Sequence, residues 1–451
     1  MALPSTVPVS VSALTPLLAQ RLGISLGGAD YWVQGELDYH VRNSIREFQV
    51  LTGYWRSRLN LVTAAGVPFY DLHAGSSPAI PRTVLDTDIL AQVGYHLLEY
   101  AGTGNFINTG QFSINPVAAA LAEQIDRILG ETRMVVTDDE WESAPPPPDG
   151  RFALNSAILQ VHRVEWQDAE SELWTLLDRT DDIGASGWDT GWTQNPALPQ
   201  SYAEATTPPL ALDLIPPPLD EGALSILATV SQGYSYVSGS PVSVGLPDDS
   251  TWALPWAVLS SVLRQDAQSR DYRRADYAMN RLQSALGVLK TWPCVMQAWP
   301  GGIQQLASSL FNLDHWQPGW RNSAGNPQTV AIAGRNLVAV SPVPIGAWNI
   351  ALDCIGNSPA SVADRATPFS VSQDIVTALL DNAQHAACFK LAGAEFEGTM
   401  GNYRAFVTVA QAYAARDRAQ AINWESLRSV TRLENAQVPY ELAPVPEVEE
   451  A

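Results

Sequence analysis

The feature that most constrains this chain is a phrase used twice. The first copy begins Trp188-Asp-Thr-Gly-Trp192 and leads into Leu210-Ala-Leu-Asp-Leu-Ile-Pro216-Pro-Pro-Leu-Asp-Glu-Gly222-Ala-Leu-Ser-Ile226. The second begins Trp316-Gln-Pro-Gly-Trp320 and leads into Leu337-Val-Ala-Val-Ser-Pro342-Val-Pro-Ile-Gly346-Ala-Trp-Asn-Ile350. Each copy has a Trp-x-x-x-Trp pair, a Pro/Asn-rich link, an apolar strand, a proline break and a second strand. Proline cannot donate to a ladder, so each break ends one strand and separates it from the next. Internal repeats set architecture, and this one predicts a duplicated β unit.

Helical periodicity surrounds both phrases. Val33, Leu37, Val41, Ile45, Phe48 and Leu51 recur in steps of three and four, predicting a helix from Asp30 that Gly53 stops. Further helices are expected at 86–100 and from Ser113 to Gly130, and helical stretches at 252–289 and 371–416, each following a phrase. The segments 58–62 and 67–72 alternate like a strand pair across Ala64-Ala-Gly66. Cys294 to Ala298 and Gln304 to Leu313 read as strands, and Asp138 to Glu142 as a solvated loop. Residues 1–28 read as an arm with one short helix. The acidic run 438–451 reads as an extended tail able to dangle or dock on a neighbour.

The expected fold class is therefore α+β: a helical N-terminal preface and two tandem helix-plus-antiparallel-β units. The divisions are 1–112 (arm, helix and short strand pair), 113–250 (first unit), 251–367 (second unit) and 368–451 (C-terminal helices and tail). A chain of 451 residues with 46% hydrophobic residues can bury a large core. Its formal charge is -21, from 47 acidic against 26 basic residues, and only Lys290 and Lys390 are lysines. Such a balance repels phosphate and argues against sequence-reading DNA binding. It suits solubility, or a wall that DNA slides past.

Chemistry is sparse. Cys294, Cys354 and Cys388 are scattered, which argues against a disulfide framework or a zinc site and for a reducing compartment. No basic stretch precedes an apolar run at the N-terminus, so no signal peptide is expected. No stretch approaches the roughly 18 uninterrupted apolar residues of a membrane helix. Phosphate-binding and dinucleotide glycine motifs and the nucleophile elbow are missing. The six histidines are far apart, and His162 and His385 read as structural. Asp86 and Asp88 suit a helix N-terminus. No catalytic residue, cofactor or metal is expected. Fifteen tryptophans raise a carbohydrate-binding or glycan-hydrolysing alternative, with Glu140 and Glu142, or Asp189, as carboxylates. The paired Trp188, Trp192, Trp316 and Trp320 fit packing or interface roles better.

The helix from Asp30 to Leu51, the following Gly53-Tyr-Trp-Arg and the strand ending Val67-Pro-Phe-Tyr-Asp-Leu72 carry a resemblance. So does the succession Trp192, Asn195-Pro to Tyr202, the Leu210 strand, the Pro216–Pro218 break, the Gly222 strand and Leu246-Pro-Asp-Asp before a long helix. Together these cover about two-thirds of the chain. In them the chain resembles virion structural proteins of tailed bacteriophages, of the neck or head-to-tail connector (adaptor) type. The duplication departs from shorter adaptors, which have one such unit. The resemblance implies a non-enzymatic, ring-forming homo-oligomer in the virion, assembled in the host cytoplasm. It also implies contacts with portal and tail proteins around a DNA passage, and no membrane. A cytosolic scaffold is a third possibility.

Overall fold

The computed structural model describes residues 6–417 apart from 27–30, 74–75, 78, 99–111, 144–149, 182–183, 185–186, 188–190, 206–209, 266–270, 292–294, 300–304, 307, 356–357 and 362–363. The fold is α+β. It opens with β1 (Thr6–Val9), α1 (Val11–Arg21), α2 (Gln34–Thr52), β2 (Arg56–Val62), β3 (Phe69–Asp71), β4 (Ser76–Ser77) and α3 (Asp86–Leu97). Next come α4 (Ile114–Thr132), β5 (Val136–Ser143), β6 (Arg151–Ala153), β7 (Ile158–Asp168), β8 (Trp174–Leu176) and β9 (Asp178–Thr180). β10 (Ser201–Ala205), β11 (Ala211–Ile215) and β12 (Gly222–Val230) lead into α5 (Ala253–Val262) and α6 (Tyr272–Thr291). Then follow β13 (Val295–Trp299), β14 (Gln305–Leu306), β15 (Ser308–Ser309), α7 (Leu310–Trp316), β16 (Ala324–Gly325), β17 (Thr329–Ile332) and β18 (Leu337–Ser341). The chain continues through β19 (Val343–Pro344), β20 (Asn349–Ile355), β21 (Phe369–Ser372), α8 (Gln373–Cys388), α9 (Gly393–Glu397) and α10 (Met400–Asp417).

The two β units are both present, and each is a pair of packed sheets. In the first, β6-β11-β10-β9 faces β5-β12-β7-β8. Their inner side chains, among them Phe152, Trp166, Leu212, Leu214, Leu224 and Ile226, form one core. In the second, β15-β17-β18-β3 faces β14-β13-β20-β2-β4 around Leu59, Leu61, Tyr70, Val338, Ile350 and Leu352. Apart from β4, which has no counterpart among the described strands of the first unit, the pairings match strand for strand. β11 lies antiparallel between β10 and β6, as β18 does between β17 and β3. β10 is parallel to β9 as β17 is to β15, and β12 lies between β5 and β7 as β20 does between β2 and β13.

Local landmarks fix the register of this correspondence. α2 and α4 are both 19 residues long and both end in a left-handed residue, Gly53 and Arg133, three positions before β2 and β5. Arg56 and Arg58 therefore correspond to Val136 and Asp138. The first strand of each phrase ends at a cis proline, Pro216 or Pro342, so Asp213 corresponds to Ala339, and its partner Arg151 to Phe69.

The units are nested rather than consecutive. The first three strands of the second unit, β2, β3 and β4, precede the whole of the first unit, and its remaining strands follow it. The segments 58–62 and 67–72 do form strands, but not a pair with each other. β2 pairs with β20 and β3 with β18. Residues 1–112 are thus not a separate preface, because their strands can satisfy their ladders only across the inserted unit. The N-terminal arm is also fixed within the chain: β1 pairs with β21, and Leu14 and Leu18 are fully buried.

The remaining sequence expectations fare unevenly. α2, α3 and α4 appear where periodicity places them, but Gly130 lies inside α4 and Arg133 ends it. Asp138 to Glu142 belong to β5, not to a loop, and Leu310 to Leu313 are helical. The helices of both halves share one core, with α2 against α8 as α4 is against α5. Asp30 and the tail 438–451 lie outside the described residues. Among those described, no helix is long and apolar enough to cross a membrane. Cys354 and Cys388 are buried thiols outside any disulfide, and burial pushes the Cys388 thiol up to about 11; Cys294 is outside the described residues.

Gly222 opens β12 where an added Cβ would meet the Trp166 ring and the Gln167 carbonyl oxygen. Backbone cannot yield as a flexible side chain can. Gly222→Ala should cost about 1–3 kcal/mol of stability, read by urea denaturation; an unchanged midpoint would contradict this packing.

Candidate functional site

The two sandwiches meet through unlike faces. The outer face of β15-β17-β18-β3, with Phe69, Ala331, Leu337 and Ala339, packs on Val136 and Leu227 of the outer face of β5-β12-β7-β8. Asn336 adds two hydrogen bonds to the Val136 backbone, accepting at 2.8 Å and donating at 3.0 Å.

The second Trp pair divides at this seam. Trp320 starts a short 3-10 turn and is 3% exposed, edge-on to Phe69 at 5.7 Å between ring centroids. Its Nε1 donates to Asp314 Oδ1 at 2.9 Å. Asp314 also accepts two hydrogen bonds from Arg163, from Nε at 3.1 Å and Nη2 at 2.9 Å, and Arg163 pairs with Glu165. Arg321 Nη1 donates to Glu165 Oε2 at 2.6 Å and to Ser225 Oγ at 2.7 Å. Ser225 in turn donates to Asp138 at 2.9 Å, and the Arg321 guanidinium stacks on Trp174. Arg163, Glu165 and Arg321 are all buried. Two guanidiniums are thus matched by two carboxylates in a multiply bonded network, the condition under which buried charge is tolerated.

The other indoles fare differently. Trp316, at the end of α7, is 69% exposed, as is Phe311 on the same helix at 78%. Trp192 also starts a 3-10 turn and lies half-buried on Ala203 and Ile215. Trp188 lies outside the described residues. Equivalent local structure therefore does not give equivalent burial, because only one copy's face is covered. Sequence reasoning missed Arg163, Glu165, Asp314 and Arg321. Arg321 directly follows Trp320, but nothing in the sequence places β7 against it.

A second buried network joins the helical halves. Arg281 of α6 donates to both oxygens of Glu47 of α2, at 3.0 and 2.9 Å, and Asn382 of α8 donates to Glu47 at 2.8 Å. Burial pushes the Glu47 carboxyl up, while Arg281 and Asn382 pull it down. A cavity of about 20 Å3 lies beside it, lined by His40, His96, Trp252 and Asn382 among others, large enough for about one water. Lys390 pairs with Glu36 at 2.8 Å, and burial lowers its pKa against that pairing. An open cleft of about 380 Å3 holds Asp38, Tyr39, Arg42, Arg46, Asp88 and Arg365. There Arg365 and Tyr39 already engage Asp38 and Asp88.

Asp248 and Asp249 act as buried staples, accepting from Thr83 and Val84 and from Ser358 respectively. Asp86, at the first turn of α3, accepts from Val242 N at 3.0 Å and Tyr234 OH at 3.2 Å. Burial holds His96 and His385 well below the ordinary imidazole range, and His385 is bonded to Tyr277 and Thr399. Among the described residues, no group of three or more His, Cys, Asp or Glu is placed to hold a metal.

Burial lowers His162 to about 3, and its Nε2 lies 2.6 Å from Thr229 Oγ1. With its folded pKa below the unfolded value of about 6.5, its contribution is complete above that value and is lost as pH falls towards 3. The stability of wild type relative to His162→Gln should therefore fall with acidification across that window, by up to about 1.4 kcal/mol per pH unit. Denaturation at pH 7, 5.5 and 4.5 reads this, and a constant difference would contradict it.

No protein-family model matches the chain, and no curated protein matches it.

Proposed function

We propose that this chain is a non-enzymatic structural subunit of a tailed-phage particle, a neck or head-to-tail connector component forming a ring around the DNA passage. The observation that carries the reading is the seam. Two homologous sandwiches join through unlike faces, so one face of each kind is left over. Contacts between unlike faces propagate head to tail and close into rings when the rotation allows. The sequence resemblance supplies the phage context. The charge of -21 suits a wall that phosphate does not adhere to. Portal and tail proteins are the proposed neighbours on either side of the ring, and the virion its proposed location. The exposed Trp316 favours one alternative, a glycan-contacting tail protein.

Light scattering over a concentration series, run beside a glycan panel, separates the two readings. A single assembly several times the monomer mass, with no glycan retained, is expected. A monomer that binds one glycan class, and loses that binding in Trp316→Ala, would replace the ring reading with the alternative.

A further inference from the structure

Two sheet faces lie outside the internal seam, and they are the counterparts of the two that meet. β6-β11-β10-β9 corresponds to β15-β17-β18-β3, and β2-β20-β13-β14 corresponds to β5-β12-β7-β8. On the first, Ser201, Ala203, Ala211 and Ile215 of the central strands are buried, Trp192 lies half-buried over Ala203 and Ile215, and Arg151, Ala153 and Asp178 are exposed on the outer strands. On the second, Arg56, Arg58, Asn60 and Val62 are exposed along β2.

The chemistry of these faces differs from that of the seam in a matched way. In the seam, the apolar Phe69/Ala339 cross-strand pair of one face packs in one cluster with Leu227 of the other. At the equivalent positions of the two faces outside the seam stand Arg151/Asp213 on one and Arg58/Asp353 on the other, each a cross-strand pair. Arg151/Asp213 thus stands where the seam has the apolar Phe69/Ala339 pair, and Arg58/Asp353 stands where it has Asp138/Leu227, so each face offers one cross-strand guanidinium–carboxylate pair. Two such dipolar pairs can exchange partners across an interface, the composition expected of a contact that must also be soluble when open.

We propose that the β6-β11-β10-β9 face of one copy packs on the β2-β20 face of the next, repeating between chains the unlike-face contact that joins the two sandwiches within one. The inference rests on the ring reading and names its interface. In that contact Trp192 takes the place that Trp320 holds inside the chain and becomes buried.

The test uses two full-length variants, each blocked on one face at exposed positions. Arg151→Glu/Ala153→Glu blocks the first face, and Arg58→Glu/Asn60→Glu the second. Circular dichroism checks that both fold. Sedimentation velocity should show the wild type assembled and each variant monomeric, with association at least tenfold weaker. An equimolar mixture should give a 1:1 dimer and nothing larger, since each partner keeps one intact face of opposite kind. Either variant assembling like wild type would overturn this interface and leave the ring reading standing. A mixture that stays monomeric would overturn the head-to-tail pairing. A wild type that stays monomeric at every concentration would overturn both.

Discussion

Glu47→Ala should destabilise the chain by about 3–5 kcal/mol, one of the two greatest effects expected. Glu47 and Arg281 are both nearly inaccessible, and the carboxylate takes both hydrogen bonds from one guanidinium nitrogen. Removing it strands a cation among Tyr403, 4.0 Å from its ring centroid, and Trp256 at 5.2 Å. Most of the cost is that stranded charge, not the lost attraction. Glu47→Leu combined with Arg281→Met should therefore recover much of the loss. Urea denaturation of the single and double variants reads both effects. A single-variant cost under about 1 kcal/mol would mean that the pair behaves as a solvated surface bridge.

The second large effect lies at the seam between sandwiches. Trp320→Ala should cost about 3–5 kcal/mol. It removes a buried ring packed on Phe69 and takes away a donor from Asp314, which stays half-buried beside the buried Arg163. Its counterpart Trp192 is half-buried, so Trp192→Ala should cost only about 1 kcal/mol in the monomer. The exposed Trp316→Ala should change stability by less than about 0.5 kcal/mol. Three indoles of one repeated motif should thus rank by the cover each receives. Equal losses at Trp192 and Trp320 would show that the seam adds nothing beyond each unit's own packing.

Much of the architecture is legible in the sequence, because local physics decides it. The stripe from Leu37 to Leu51 specifies α2, and Gly53 stops it in the left-handed conformation that glycine adopts without a Cβ penalty. The proline breaks mark the strands of both β units. What the sequence does not disclose is which strands belong together. β2 and β3 follow one another closely and read as a hairpin, but their ladders are completed by β20 and β18, nearly 300 residues later in the chain. Gly130 misleads for a different reason: the stripe continues through it, and the αL turn falls on Arg133.

The candidate site was less legible than the fold. The repeat points to four tryptophans, and of the three that are described only Trp320 is sealed into the seam. Its partners Arg163, Glu165 and Asp314 come from β7 and α7, and their pairing depends on sheet faces that meet only after both sandwiches have formed. The acidic pair Asp248 and Asp249 resembles a solvated turn in sequence yet ties three distant segments together. Such groups carry no local signal, because their partners lie about 110 to 165 residues away.

The most direct test of the central claim is negative-stain imaging of the purified full-length protein. Closed rings with a central hole wide enough for a DNA duplex are the predicted result, and their class averages would give the symmetry. A field of single particles, unchanged as concentration rises, would contradict the ring-forming connector reading.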